Sequence, residues 1–253
     1  MASGPSDRKL RPLALLPILI SGLCAVLAAQ MAWHDPRYLL PFFLIAAVML
    51  LPALLSRYRM RRLLMSGDVK RVLGTWQGSI DRIMYPETMA PLMMATAYAS
   101  YGWVEAGRNA LDRAVKGPAW DAALEQRLFV ETLLDTFEGE RAAAIEKAGA
   151  LERMPMPPAG FFARKRIVLL RHGLAALARA FAHQSADEDL RLLERAAEAS
   201  PLVHWAMRYA AAIVALDHGR ARTARDLLAG APDWPTESAF RVYHEELLSK
   251  AAG

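Results

Sequence analysis

The stretch GWVEAGRNALDRA, residues 102–114, places a glycine and then small or apolar residues five, nine and twelve positions later: Gly102, Gly107, Leu111 and Ala114. The spacing returns in GRARTARDLLAGA, residues 219–231, as Gly219, Ala224, Leu228 and Ala231. A weaker copy, GERAAAIEKAGAL at 139–151, carries Gly139, Ala144, Ala148 and Leu151. Each position has a physical role. Glycine makes the turn between two antiparallel helices. The small residue one turn later lets the two backbones approach, and the next two positions pack against the following pair.

The surroundings agree with helices. From Gly67 onward there is no sustained period-two alternation and no Asn-Gly hairpin turn, whereas apolar residues recur at three and four. Breaks at Gly, Pro and short polar clusters predict helices over 67–84, 87–101, 104–116, 119–137, 140–152, 160–182, 187–199, 202–217, 220–230 and 236–250. The clearest break is Met154-Pro-Met-Pro-Pro158, and His183 to Asp187 marks a second.

These residues resemble the tetratricopeptide (TPR) family, whose unit is a 34-residue helix–turn–helix. The best unit adds Ala95 and Tyr98 on its first helix and Pro118 near the closing position. Leu193, Ala196 and Pro201 match the end of a further unit whose turn glycine is missing. Units recur after 37, about 45 and about 35 residues, so the array is irregular, and the resemblance covers roughly residues 86–235. A generic helical bundle that uses small residues at its contacts is the alternative; both are all-α. The resemblance implies a concave partner-binding surface on the first helix of each unit, formed by Thr96, Ser100, Gln126, Phe129, Tyr209 and Ile213. The basic residues that clamp a terminal carboxylate in well-known members are absent from those positions. The implied groove therefore accepts an apolar helix or is filled by the protein's own chain.

Charge separates the N-terminal quarter from the rest. The chain carries +5 overall, but residues 1–62 hold eight Lys/Arg against two acids and residues 63–253 hold 23 against 24. A nucleic-acid-binding domain needs its own basic footprint, so no nucleic-acid partner is expected. The basic residues flank two uncharged apolar runs, 13–33 and 38–56, of 21 and 19 residues. At ~1.5 Å per residue each spans a hydrocarbon core of about 30 Å. The expected organisation is a cytoplasmic tail over 1–12, a two-helix transmembrane hairpin over 13–56, a basic juxtamembrane linker over 57–66 and a cytoplasmic TPR-like helical domain over 67–253. Arg8, Lys9, Arg11, Arg57, Arg59, Arg61 and Arg62 are the expected membrane-surface charges. By the positive-inside rule they place both termini in the cytoplasm. A cleaved signal peptide fits less well, because a second long apolar run follows the first after four residues. An Arg-rich, Ala-rich composition points to a bacterial inner membrane.

No arrangement of residues nominates a reaction. The single cysteine, Cys24, excludes a disulfide framework and a cysteine-based zinc site. No two of the six histidines stand three or four apart, and no nucleotide loop or nucleophile elbow is present. No cofactor, metal or small-molecule substrate is expected. The expected function is a non-enzymatic, membrane-anchored scaffold or adaptor that binds a protein partner. A structural subunit of a membrane complex, acting through its hairpin, is the alternative, and an enzyme with a diffuse acid–base site is the third class. Arg164-Lys165-Arg166, followed by Arg171, is the densest basic run of the domain; it reads as a solvated helix face or a contact to anionic lipid headgroups.

Overall fold

Four chain reversals of one construction organise the helical domain. In each, a residue with left-handed backbone follows a helix: Gly102 (φ 72°), Gly139 (φ 86°), His183 (φ 56°) and Gly219 (φ 71°). The next residue's N–H then reaches back five positions, from Trp103 to the Tyr98 carbonyl (2.9 Å), Glu140 to Asp135 (2.9 Å), Gln184 to Arg179 (2.9 Å) and Arg220 to Ala215 (2.7 Å). This Schellman closure satisfies helix-end carbonyls while turning the chain sharply. His183 thus occupies the turn whose glycine the sequence lacks.

The computed structural model describes Gln30, residues 39–80 and residues 82–252. The described residues form helices and no strand: α1 (Leu39–Met65), α2 (Val69–Ile80), α3 (Pro86–Ser100), α4 (Val104–Asp112), α5 (Pro118–Ala122), α6 (Leu124–Glu138), α7 (Arg141–Arg153), α8 (Phe161–Phe181), α9 (Asp187–Ala199), α10 (His204–Asp217), α11 (Ala221–Leu228) and α12 (Ala239–Ala252). The all-α expectation therefore holds for them. One expected helix, 119–137, is split at Ala123 into α5 and α6.

The chain divides into two compact units, Met1–Met60 and Arg61–Gly253. The expected transmembrane hairpin is corrected. Its first run, its link and Arg8, Lys9 and Arg11 lie outside the described residues, apart from Gln30. Its second run is not a bounded apolar element, because α1 continues without a break through Arg57, Arg59, Arg61 and Arg62 to Met65 and contains Pro52. Among the described residues no helix is long and apolar enough to cross a membrane. The multi-pass and inner-membrane placement, with both ends cytoplasmic, falls with the hairpin. Residues 57–65 are helix rather than linker, and their four exposed arginines do not mark the edge of a span. The large described apolar side chains of the run, among them Leu44, Val48, Leu50, Leu51, Leu54 and Leu55, are exposed.

In the second unit α3–α4, α6–α7, α8–α9 and α10–α11 pack as consecutive pairs, and the first helices follow one another, α3 on α6, α6 on α8 and α8 on α10. Small residues set these approaches. A Cβ on Gly107 would lie 2.8 Å from a Leu134 methyl, and one on Gly173 would lie 2.7 Å from the Ala196 Cβ. Ala144 and Ala148 of α7 meet Ala175 and Ala178 of α8 in a buried alanine seam. Larger side chains fill the centre: Leu92, Leu133, Leu134, Leu174, Leu177, Met207 and Tyr209 have no exposed surface.

Buried charge ties the pairs to each other. Asp135 of α6 binds Arg108 of α4 and Lys147 of α7, the latter at 2.8 Å. Arg171 of α8 is buried and reaches Glu125 of α6 (2.8 Å) together with the carbonyls of Met154 (2.7 Å) and Pro155 (3.3 Å). It therefore pins the proline-rich break to α8 and α6. Asp189 accepts from Arg179 and, at 3.0 Å, from the Ala186 N–H that opens α9. Burial pushes its carboxyl up, but the guanidinium and the N–H outweigh burial and hold it below the usual carboxylate range.

Candidate functional site

The six residues implied by the TPR resemblance lie on α3, α6 and α10, and the chain itself covers most of them. Ser100 and Tyr209 have no exposed surface, and Thr96 and Ile213 are buried. Ser100 donates to the Thr96 carbonyl (2.7 Å) and Thr96 to the Leu92 carbonyl (2.7 Å), so both hydroxyls are spent on their own helix. Gln126 and Phe129 are half-buried, and the Gln126 amide donates to the Thr96 hydroxyl at 3.2 Å. The structure thus joins α3 and α6 through Thr96 and Gln126. Tyr209 serves the packing of α10, and Ile213, though buried, borders a cavity beside the His183 turn.

Two segments of the chain supply the filling. The end of α1 lends its last carbonyls to aromatic side chains: Tyr101 O–H donates to the Leu64 oxygen (2.6 Å) and Trp205 N–H to the Met65 oxygen (2.8 Å). Helix α12 meets all four pairs. Its first N–H, at Ala239, donates to the Gly102 carbonyl (2.8 Å), and the Tyr243 hydroxyl donates to the Phe137 carbonyl (2.8 Å). Phe240, fully buried, lies with ring centres 5.1 Å from Phe137, 5.0 Å from Tyr209 and 5.0 Å from Trp234. Tyr243 stacks edge-on against Phe181 at 5.2 Å. A Cβ on Gly102 would sit 3.0 Å from the Phe240 ring, so this turn glycine also admits α12.

A polar relay runs through the same core. Trp234 N–H donates to the Tyr209 oxygen (2.7 Å), which in turn faces His244 Nδ1 at 3.2 Å. Burial raises the Tyr209 phenol well above its ordinary value and lowers His244, which favours the neutral form of both partners. Burial likewise lowers His204, whose Nδ1 donates to the Ala197 carbonyl at 3.0 Å. Tyr243 is pushed up to about 12 by burial.

Among the described residues, two cavities that open to solvent bear on the helical domain. The smaller, of about 220 Å³, lies between α10 and α12 beside the His183 turn and contains Arg141, His183, Asp217, Tyr243 and Lys250. His183 Nδ1 is held 3.0 Å from both Asp217 oxygens, which fixes the strained turn rather than leaving the imidazole free. The larger, of about 670 Å³, is lined by residues of α8 and α9. Val168, Leu169 and Leu192 supply its apolar part, and Arg164, Lys165, Arg166 and Arg195 its charge. Phe161 and Phe162 stand exposed at the start of α8, with the Lys165 ammonium 4.3 Å above the Phe161 ring. Among the described residues none of Arg164, Lys165 and Arg195 is in an ion pair, whereas the neighbouring Arg166 donates to the Ala199 carbonyl (3.0 Å) that ends α9.

The sequence reading picked out Arg164, Lys165 and Arg166 but not the apolar cleft beside them, nor Arg195 across it. It also grouped Arg171 with them, and the structure separates that residue into the core. A signal for the cleft was present. No acid occurs between Glu152 and Asp187, and the apolar residues Phe161, Val168 and Leu169 interleave with Arg164, Lys165 and His172 on one face of a helix. Among the described residues no three His, Cys, Asp or Glu side chains gather as a metal site.

No family model matches the chain, and no match was found among curated proteins or solved structures.

Proposed function

We propose that this chain is a non-catalytic scaffold: a TPR-like array of four helix pairs that binds a protein partner on the outer α8–α9 cleft rather than in its concave face. The observation that carries this reading is the contrast between the two surfaces. The inner face is occupied by α12 and the end of α1, with Phe240 buried among Phe137, Tyr209 and Trp234. The α8–α9 cleft joins an apolar floor to cations that have no ion-pair partner among the described residues. Apolar area beside desolvatable positive charge is the composition of a recognition surface more than of an ordinary solvated helix face.

A photo-crosslinking residue placed at Val168 in the full chain tests the proposal in the native cell. A discrete protein adduct from Val168, with none from Arg222 on α11, is the expected outcome. Absence of any protein adduct from Val168 would overturn the reading.

A further inference from the structure

We infer that the segment bound in the α8–α9 cleft is an acidic amphipathic helix. The inference rests on the scaffold reading and specifies the partner's chemistry. Phe161, Arg164, Lys165, Val168, Leu169 and His172 all line the cleft from α8. Their spacing of three, one, three, one and three residues is a single helical face. From Phe161 to His172 that face is about 17 Å long at ~1.5 Å per residue, the length of three helical turns. The α9 wall adds Leu192 and Arg195, so apolar surface runs between cations from two helices.

The complement of such a cleft is a helix of about three turns with apolar residues at i, i+3 or i+4 and i+7, flanked by Asp or Glu. Charge selects the sign. The local sequence holds no acid from residue 153 to residue 186 while carrying six Lys/Arg. Of these, Arg171 and Arg179 are bound to Glu125 and Asp189, Arg166 donates to the Ala199 carbonyl, and Arg153 ends α7 outside the cleft lining, which leaves Arg164 and Lys165 as the α8 cations of the cleft. An apolar floor between two walls accommodates a rod better than a flat bilayer, whose headgroups would meet the cations but leave Leu169 and Leu192 uncovered.

The test uses the full chain and defined probes. One is an amphipathic helical peptide of about fourteen residues, with leucines at the three anchor positions and flanking glutamates. The others are the same peptide with lysines replacing the glutamates, and vesicles containing anionic phosphatidylserine. The glutamate peptide is expected to bind, to lose about tenfold in affinity in the Arg164→Glu, Lys165→Glu double variant, and to weaken as salt rises. The lysine peptide and the vesicles are expected not to bind. Equal binding of the two peptides, an unchanged affinity in the double variant, or binding of vesicles in place of the glutamate peptide would overturn the inference. The Val168 crosslink separates this failure from that of the scaffold reading. An adduct mapped to a non-acidic segment overturns the acidic helix and leaves the scaffold standing; no protein adduct removes both.

Discussion

At the turn between α8 and α9 a histidine occupies backbone that glycine occupies at the three equivalent turns. Left-handed conformation costs an L-residue about 1–2 kcal/mol. His183 recovers part of that through Asp217, an exposed contact of small value. Replacing His183 by glycine is expected to leave stability unchanged or raise it by up to about 1 kcal/mol, after the larger unfolded-state entropy of glycine is deducted. Gly139→Ala should move the other way. Nothing lies within 4 Å of an added Cβ there, yet φ is 86°, so a loss of about 1–2 kcal/mol comes from the backbone alone. Urea denaturation midpoints of the two variants check both signs. Buried His204 and half-buried His244 supply a pH dependence. Burial depresses His204 and His244 below the ordinary value of 6.5, so the unfolded chain takes up protons first and stability falls as pH drops through about 6.5. Asp189 contributes in a separate window, because its stabilisation is lost only as pH falls through the acid range. Between pH 7.5 and 5.5 the midpoint should therefore decrease, and His204→Gln should reduce that slope; a midpoint that rises on acidification contradicts the assignment.

Between helices the decisive quantity is how closely two backbones approach. Gly173→Ala puts a methyl 2.7 Å from the Cβ of Ala196, which has no rotamer to retreat into, so α8 and α9 must separate. Overpacking of this kind costs about 1–3 kcal/mol, more than the ~1 kcal/mol helix gain of alanine over glycine. Gly107→Ala meets only a leucine methyl at 2.8 Å, which can rotate away, so it should be the milder change. Thermal unfolding of the two variants ranks them. The sequence announced much of this scale. Glycines five and nine residues from small or apolar partners marked three of the four turns, and the expected helix limits fall close to the observed ones because Gly and Pro end helices by backbone sterics alone. The fourth turn showed in the sequence as a break at His183 to Asp187 but not as a reversal of the same construction, since a histidine held in left-handed backbone by Asp217 leaves no local signal. The apolar run of 38–56 misled for a related reason. Hydropathy counts residues and does not say where a helix stops, and α1 carries that run on through four arginines to the carbonyls that Tyr101 and Trp205 bind.

For the helical unit as a whole, the central feature is closure by its own chain. A repeat array that touches only its neighbours unfolds piecemeal. Here α12 contacts Gly102 in the first pair, Phe137 in the second, Phe181 in the third and Tyr209 in the fourth, which couples the ends. Phe240→Ala should accordingly cost about 3–5 kcal/mol and lower the denaturant midpoint of the entire unit, not of α12 alone. The α8–α9 cleft could be read only in part from sequence, because Arg195 and Leu192 reach it across a helix pair and no linear spacing connects them to Arg164. The six residues that the resemblance implied lie on α3, α6 and α10, and their exposure depends on α12, whose docking a repeat pattern does not encode. Native-state amide hydrogen exchange of the full chain tests closure most directly. If α12 is part of the core, the amides of Phe240 to Leu247 open with the same free energy as those of Ala206 to Ala215 in α10. Exchange of α12 faster by orders of magnitude, with α10 still protected, would show a detachable helix and contradict a filled inner face.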